Sequence, residues 1–309
     1  MTVRRWTPTV AGDETFGLAE GPVWDADRER LLWVDIPAGI VHVGRLEGGR
    51  IVPLTSYDVD RTVGAVVVGR DGDLLVAGEH ALVTVHADGR QVRRQPLLPA
   101  GSRRRLNDGA CDAKGRFVLG SLTRGDESDH GNVLVRIELD GSVTTLDDDL
   151  TLSNGIGWSP DGGVLYSVDS IPGVVWARSY DGATGAVGDR SPWLRIDDGI
   201  PDGLCVDTEG HLWIAIWGAG QVRRYSPAGD LVGVVEVPAP HTTSVTFAGA
   251  HLDQLVISSA TSDLTAQQLA DAPDSGRLFL ADVGVVGLPA HTWAGSFPTE
   301  TSLEARTCS

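Results

Sequence analysis

The stretch "NGIGWSPDGGVLYSVDSIPGVVWARS", residues 154–179, is one unit of a repeat that decides the fold. It opens with a polar residue and Gly, forms a short apolar strand, turns through Asp and Gly, and returns as a second strand. Six such units lie 42 to 48 residues apart and begin at Glu20, Val63, Asn107, Asn154, Asp202 and Ser244. Repeats of roughly 40 to 50 residues built from short paired strands are typical of propeller blades. The sequence therefore predicts an all-β, six-bladed β-propeller with four-stranded antiparallel blades, as a single domain over residues 1–309.

The composition agrees with this architecture. The chain has 39 Gly and 16 Pro but one Met, which indicates many turns and few long helices. No convincing apolar period of 3.6 residues argues for a helical solenoid instead. The Gly-His and Trp-Asp signatures of WD40 repeats are absent, which lowers the expectation of a protein-interaction scaffold. Residues 288–309 lose the repeat, and we expect their end to be a frayed tail.

Charge and cysteine content limit the kinds of partner and the cellular compartment that fit this chain. The net charge of -17 argues against a nucleic-acid partner, because binding phosphates needs a basic face. No apolar run approaches the length of a membrane span, so no membrane partner is expected. Cys111, Cys205 and Cys308 form an odd, widely spaced set, which we interpret as free thiols in a reducing compartment. These features predict a cytoplasmic protein whose partner is a small-molecule substrate.

The starts of the inner strands of a closed propeller surround one channel. Glu20, Asn107, Asn154 and Asp202 would therefore meet at one opening, with Val63 and Ser244 in the remaining places. Two unpaired carboxylates would repel and raise each other's pKa, whereas a cation removes this cost. Carboxylate and amide oxygens suit Ca²⁺, Mg²⁺ or Mn²⁺, while zinc usually takes His or Cys. The alternative is that the polar residues are turn formers, since Asn-Gly and "IPDG" are ordinary turn sequences.

Other residues could face the same opening. Arg105 lies two residues before Asn107, which is the same-face spacing of a strand. Trp217 ends a strand and could wall a pocket, although a buried aromatic is the commoner role. The run His241 to Thr243 precedes the last unit, where local capping is an equal explanation.

Four segments resemble the SMP-30/gluconolactonase/regucalcin family in order and spacing. The resemblance runs from about Leu18 to the sixth unit, over "AEGPVWDADRERLLWVDIPAGIVHV", "RLNDGACDAKGRFVLGSL", "LSNGIGWSPDGGVLYSVDS" and "IPDGLCVDTEGHLWIAIWGAG". It implies a six-bladed propeller and a metal-dependent lactonase for sugar lactones or related cyclic esters. It also implies that Glu20, Asn154 and Asp202 bind the metal, that Asp202 is the acid/base, and that Arg105 and Asn107 contact the substrate. The implied cofactor is one divalent cation, with Ca²⁺ expected first and Mn²⁺, Mg²⁺, Zn²⁺ or Fe²⁺ as alternatives.

The implied mechanism is hydrolysis, in which the metal polarises the lactone carbonyl or activates water. Two alternatives stay open: another metal-dependent reaction, such as organophosphate hydrolysis or ring opening by elimination, and a non-catalytic calcium-binding role. One departure from the family concerns the substrate. Family members active on sugar lactones often carry a glutamate just after the strand that reads "VLGSL", where this sequence has Arg124 and Gly125. Glu127 is the nearest substitute.

Overall fold

The computed structural model describes residues 2–297 and confirms the predicted six-bladed propeller. The first strand of each blade lines the channel and the last lies at the rim. Blades one to three comprise β3 (Ala19–Asp25), β4 (Arg30–Asp35), β5 (Ile40–Glu47), β6 (Arg50–Asp58), β7 (Ala65–Val68), β8 (Leu74–Ala77), β9 (Ala81–Val85), β10 (Gln91–Pro96), β11 (Arg104–Cys111), β12 (Phe117–Thr123), β13 (Asn132–Ile137) and β14 (Val143–Leu150). Blades four to six comprise the following strands, together with a strand from the N-terminal segment: β15 (Ser153–Trp158), β16 (Val164–Asp169), β17 (Val174–Ser179), β18 (Ser191–Arg195), β19 (Ile200–Val206), β20 (Leu212–Trp217), β21 (Gln221–Tyr225), β22 (Leu231–Glu236), β23 (Thr242–Ala248), β24 (Gln254–Ser259) and β25 (Phe279–Asp282).

The N-terminal segment closes the ring. Strand β2 (Thr9–Val10) pairs antiparallel with β25 and becomes the outermost strand of the sixth blade. Strand β1 (Arg4–Trp6) pairs parallel with β22 as a fifth strand of the fifth blade. Without β2, the sixth blade would end in an open edge at β25. The pairing of β2 with β25 covers this edge and joins the two ends of the propeller.

Burial explains why inner strands are apolar and outer strands polar. All four residues of β7 are buried, and β20, "LWIAIW", is buried up to its last residue, as expected for strands covered on both faces. Strand β10, "QVRRQP", is largely exposed at the rim. Trp33, Trp213, Phe117 and Phe279 are fully buried between blades. Packing between neighbouring blades thus fixes the ring around the channel.

Five of the six inner strands carry a β-bulge near their start. The pairing shifts between Glu20 and Val23, Leu106 and Gly109, Asn154 and Ile156, Pro201 and Leu204, and Thr242 and Val245. The second blade pairs without a shift. A bulge turns the side chains beside it away from the regular alternation of a strand. The bulges therefore fall where the candidate ligands were predicted.

The Asn154–Gly155 pair lies inside β15 and is not a hairpin turn. A side chain on Gly155 would place its Cβ 2.6 Å from the backbone oxygen of Asp202 in the next blade. Gly203 approaches Ser244 of the sixth blade in the same way. Glycine is required at these positions because neighbouring inner strands converge there.

The C-terminal segment crosses the far end of the propeller. Its backbone N–H groups at Gly287 and Trp293 donate to Leu252 and Val68 at 2.8 and 2.7 Å. The predicted frayed tail would lie beyond residue 297, outside the described residues. The one described helix, α1 (Ala266–Asp271), lies between β24 and β25 and is capped by Thr265. Within residues 2–297, no helix has the length and apolar content needed to cross a membrane.

Candidate metal and substrate site

The structure brings the five predicted site residues together at one end of the channel, where they form a ring of polar side chains, called the ring from here on. Each comes from the bulged start of an inner strand: Glu20 from β3, Arg105 and Asn107 from β11, Asn154 from β15 and Asp202 from β19. All five are between 4% and 8% exposed, so their polar groups are almost removed from solvent. Such groups need partners, and the partners that the protein supplies define what the site can bind.

A chain of hydrogen bonds orients the two amides. Arg105 Nη1 donates to Asn107 Oδ1 at 2.5 Å, and Asn107 Nδ2 donates to Asn154 Oδ1 at 2.8 Å. Asn154 Nδ2 donates to Ser170 Oγ at 3.0 Å, while Ser170 Oγ donates to the carbonyl of Pro201 at 2.7 Å. Because the Ser170 hydroxyl proton is used on Pro201, its oxygen must accept from Asn154. Ser170 therefore orients the Asn154 amide so that its nitrogen points toward Ser170 and its Oδ1 points away. This Oδ1 accepts one hydrogen bond, from Asn107, and keeps a second lone pair for a further ligand.

The carboxylates are held in an unfavourable environment. Burial, together with repulsion from Asp108, raises the pKa of Glu20 from 4.5 to about 8, against a hydrogen bond from Gly21 N at 3.0 Å. Burial also raises the pKa of Asp202 well above its usual range, and Glu20 and Asp108 add to the rise. Burial likewise raises the pKa of Asp108 to about 6. Three acidic groups so close together would each be stabilised by a nearby positive charge.

The residues fit a hard divalent cation. Asp202 Oδ1 is buried and has no hydrogen-bond partner among the described residues. An acceptor left bare in this way costs free energy unless a ligand fills the position. The donor set of Glu20, Asn154 and Asp202 consists of two carboxylates and an amide oxygen, which are ligands of Ca²⁺, Mg²⁺ and Mn²⁺. The metal-binding role of the three residues stays a prediction that this geometry supports.

Sequence reasoning missed Asp108 and Ser170. Asp108 follows Asn107 directly in the "RLNDG" motif, and this adjacency was the available signal. Ser170 follows the second strand of the fourth blade, where it resembles an ordinary turn residue, so no local signal distinguishes it. Its contact with Asn154 lies beside the bulge of the inner strand.

Trp217 ends β20 and pairs with Ile200 at the start of β19, the end of the fifth blade that carries Asp202. Trp217 stacks on His241 with ring centroids 3.8 Å apart, and burial lowers the pKa of His241. Two residues that could have faced the opening instead bind within the protein. Thr242 Oγ1 donates to the carbonyl of Ala239, which is local capping, and Thr243 Oγ1 donates to that of Ala19 in the first blade.

Arg124 takes a defined position near the opening. Its Nη1 donates to Glu79 Oε1 at 2.6 Å and its Nη2 to Thr62 Oγ1 at 3.0 Å. Glu127 is exposed in the loop between β12 and β13.

A cavity of about 390 Å³ lies beneath the ring. The residues that follow the candidate ligands line it, namely Gly21, Asp108 and Leu204. Its far side is formed by the turn Ser159–Gly162 and by the segment Leu288–His291. Asp108, next to Asn107 in the chain, therefore lines the cavity beneath the ring.

A second acidic group is explained by an ion pair. Ligand atoms of Asp207, Glu209 and His211 lie within 4.8 Å of one another. Asp207 Oδ2, however, accepts from Arg224 Nη2 at 2.7 Å and from Trp213 Nε1 at 3.0 Å, and its Oδ1 accepts two backbone N–H groups. A cation would have to displace Arg224. The same turn carries buried Asp–Arg pairs in two other blades, Asp25 with Arg30 and Asp112 with Arg116, so we assign this group to blade packing.

Fold and site together define a class: a six-bladed propeller with a buried ring of carboxylate and amide oxygens in its channel. The family model "SMP-30/Gluconolactonase/LRE-like region" matches residues 18–261. The chain therefore belongs to the SMP-30/gluconolactonase/LRE-like family, as its motifs predicted.

Relatives of known name support the assignment to this family. The chain is similar to the pentonolactonase XacC of Haloferax volcanii, at 34% identity over 92% of this chain and 97% of the relative. It is similar to regucalcin of Danio rerio, at 33% identity over 90% and 95%. Among solved structures, a calcium-binding regucalcin from Agrobacterium tumefaciens superposes with a TM-score of 0.87, at 27% identity over 95% of this chain and 99% of that one. These matches cover nearly the whole propeller.

Proposed function

We propose that the protein is a divalent-metal-dependent lactonase that opens the ring of a sugar lactone. The observation that carries the proposal is the buried Asp202 Oδ1 without a hydrogen-bond partner, close enough to Glu20 for the two carboxyl groups to repel, in a family that includes a pentonolactonase by name. Glu20, Asn154 and Asp202 would hold one cation, with Ca²⁺ expected first. When bound, this cation supplies Lewis-acid chemistry at the lactone carbonyl.

The protein's own residues would orient the substrate. Arg105 is fixed by Asn107 and by the carbonyl of Leu106, to which its Nη1 donates at 3.1 Å. Its guanidinium can offer further N–H groups to substrate oxygens. We expect the stacked Trp217 and His241 to form one wall of the opening. Such positioning makes the attack of water on the lactone carbonyl a reaction between groups that are already in place.

Asp202 would move the proton. Its carboxylate accepts a proton from the attacking water as the new C–O bond forms, and returns it to the ring oxygen as the old C–O bond breaks. Coordination to a cation lowers the pKa of a carboxylate and weakens it as a base. Burial and the neighbouring Glu20 and Asp108 raise the pKa of Asp202 and oppose that effect. We infer from this opposition that Asp202 stays able to exchange a proton in the reaction.

Activity assays on stripped protein test the proposal. Aldonolactones, aliphatic lactones and an organophosphate ester are offered with Ca²⁺, Mn²⁺, Mg²⁺, Zn²⁺ or Fe²⁺ added one at a time. We expect turnover of a sugar lactone with at least one cation, and loss of both turnover and cation binding in Asp202→Asn. Absence of lactone turnover with every cation would refute the proposal, and turnover of the phosphate ester alone would favour the alternative reaction.

A further inference from the structure

Two arginines are neighbours at the start of the third blade: Arg105 on β11 pairs with Leu122 on β12, and Arg124 is two residues beyond Leu122. Arg105 is buried, and both bonds of its Nη1 go to neutral oxygens, those of Leu106 and Asn107. Arg124 follows β12, and its backbone N–H donates to the carbonyl of Arg103 at 3.0 Å. The two charges are close enough that Arg124, after burial, contributes to lowering the pKa of Arg105 to about 10.

Glu79 ties Arg124 to the wall of the site. The backbone N–H of Leu106 donates to the carbonyl of Glu79 at 3.0 Å, so Glu79 lies directly beside the strand that carries Arg105. Its carboxylate binds Arg124 at 2.6 Å and lies 3.9 Å from Arg61. One carboxylate thus serves two guanidinium groups. The three side chains together leave one uncompensated positive charge at the edge of the opening.

The negative charges of two ring residues, Glu20 and Asp202, balance the positive charge of Arg105. Glu20 and Asp202 act on Arg105 to raise its pKa, against burial and Arg124. A divalent cation bound by those two carboxylates would neutralise their charge and leave Arg105 without a balancing anion. The whole chain carries a net charge of -17, so this positive edge is a local feature of the site. A partly desolvated pair of guanidinium groups is costly without an anion.

We propose that Arg105 and Arg124 form an anion subsite, and that the lactone substrate carries an ionised group remote from its reacting carbonyl. This inference rests on the proposed function. The group is a carboxylate, as in the monolactone of a sugar diacid, or a phosphate, as in a phosphorylated aldonolactone. Guanidinium groups bind both through paired charge-assisted hydrogen bonds. The subsite selects such lactones over neutral ones of the same ring size.

Kinetics on matched substrates test the subsite. Gluconolactone, glucarolactone of the same ring size and phosphogluconolactone are compared by kcat/KM. We expect Arg124→Gln to lower the ratio for the preferred anionic lactone over gluconolactone by about 10-fold to 100-fold, since that is the worth of a hydrogen bond to a charged group. The anionic lactone with the higher kcat/KM identifies the group that the subsite binds.

Two further variants separate charge recognition from structural damage. Arg124→Gln leaves Glu79 without its nearest partner, so the double variant Glu79→Gln/Arg124→Gln removes both charges and should show the same loss of preference. Arg93→Gln is the matched control, because Arg93 pairs with the largely buried Asp60 at 2.7 Å on the outer strand β10 of the second blade. It removes one charge and one ion pair, and the substrate ratio should not change.

Binding of the open-chain products gives a readout without turnover. By calorimetry on cation-loaded protein, glucarate or phosphogluconate should bind about 10-fold more tightly than gluconate, and Arg124→Gln should abolish the difference. If gluconolactone is hydrolysed and neither Arg124→Gln nor the double variant changes the substrate ratio, the subsite is refuted while the lactonase proposal stands. If no lactone is hydrolysed with any cation, the proposed function is refuted and the subsite with it.

Discussion

The raised pKa of Glu20 predicts that the ring destabilises the cation-free protein as pH rises. The folded state keeps a proton on Glu20 that the unfolded chain releases near pH 4.5, because burial raises the folded pKa to about 8. The contribution of protonated Glu20 to the stability of the folded state is therefore complete below pH 4.5, declines between pH 4.5 and 8, and is lost above pH 8. A pKa difference of this size corresponds to about 5 kcal/mol of unfolding free energy.

Glu20→Gln removes the charge and keeps the shape. Its amide oxygen can still accept the N–H of Gly21, which Glu20 Oε2 accepts at 3.0 Å. In the presence of a chelator we expect the variant and the wild type to be equally stable at pH 4.5. At pH 8 the variant should be more stable by several kcal/mol, up to about 5. Relief of the repulsion on Asp202 acts in the same direction.

Urea denaturation across this pH window measures the effect. Glu127→Gln is the control, because it makes the same chemical change at an exposed loop residue and should follow the wild type. Adding Ca²⁺ should reverse the order at pH 8, since only the wild type keeps both carboxylates and gains the binding free energy. Parallel stability profiles of wild type and Glu20→Gln without cation would refute the electrostatic argument.

Three further predictions concern residues around the ring and the frame that holds it. Ser170→Ala should weaken divalent-cation binding about 10-fold by calorimetry, because it frees the Asn154 amide without removing a ligand; unchanged affinity would contradict the assigned orientation. Arg116→Met should lower the unfolding free energy in urea by about 3–5 kcal/mol, because it leaves Asp112 buried without its charge partner; a loss below about 1 kcal/mol would contradict this. Deleting residues 2–10 should lower the thermal midpoint by opening the edge of the sixth blade, and an unchanged midpoint would mean that strand β2 is dispensable.

The blade architecture could be predicted because it repeats. Each inner hairpin carries its own apolar strands and turn residues, and six copies reinforce one another even where a single copy is ambiguous. The same repetition placed Glu20, Asn154 and Asp202 at equivalent positions. Ring closure could not be predicted in this way. A strand of two residues, Thr9–Val10, has no measurable alternation, and its pairing with β25 depends on an edge that only the folded ring presents.

The supporting residues of the site were also beyond sequence reasoning. Ser170 and Glu79 both follow the second strand of a blade, where polar residues normally begin a turn. Their contacts with Asn154 and Arg124 join different strands, and the second pair joins different blades. The sequence therefore indicated which residues approach the axis. It carried no signal for the residues that hold them in orientation.

The irregular pairing of the inner strands links the cation side of the site to the substrate side. Four bulged inner strands, β3, β11, β15 and β19, carry the ring residues, whereas β7 pairs with β8 without a shift and Val63, just before it, is fully buried in an apolar cluster. The second blade consequently offers no ligand at the ring. Its next loop instead supplies Glu79, which fixes Arg124 beside Arg105. In the proposed binding mode, the substrate carbonyl lies over the bulged blades and the ionised group extends toward the second blade, where Glu79 holds Arg124.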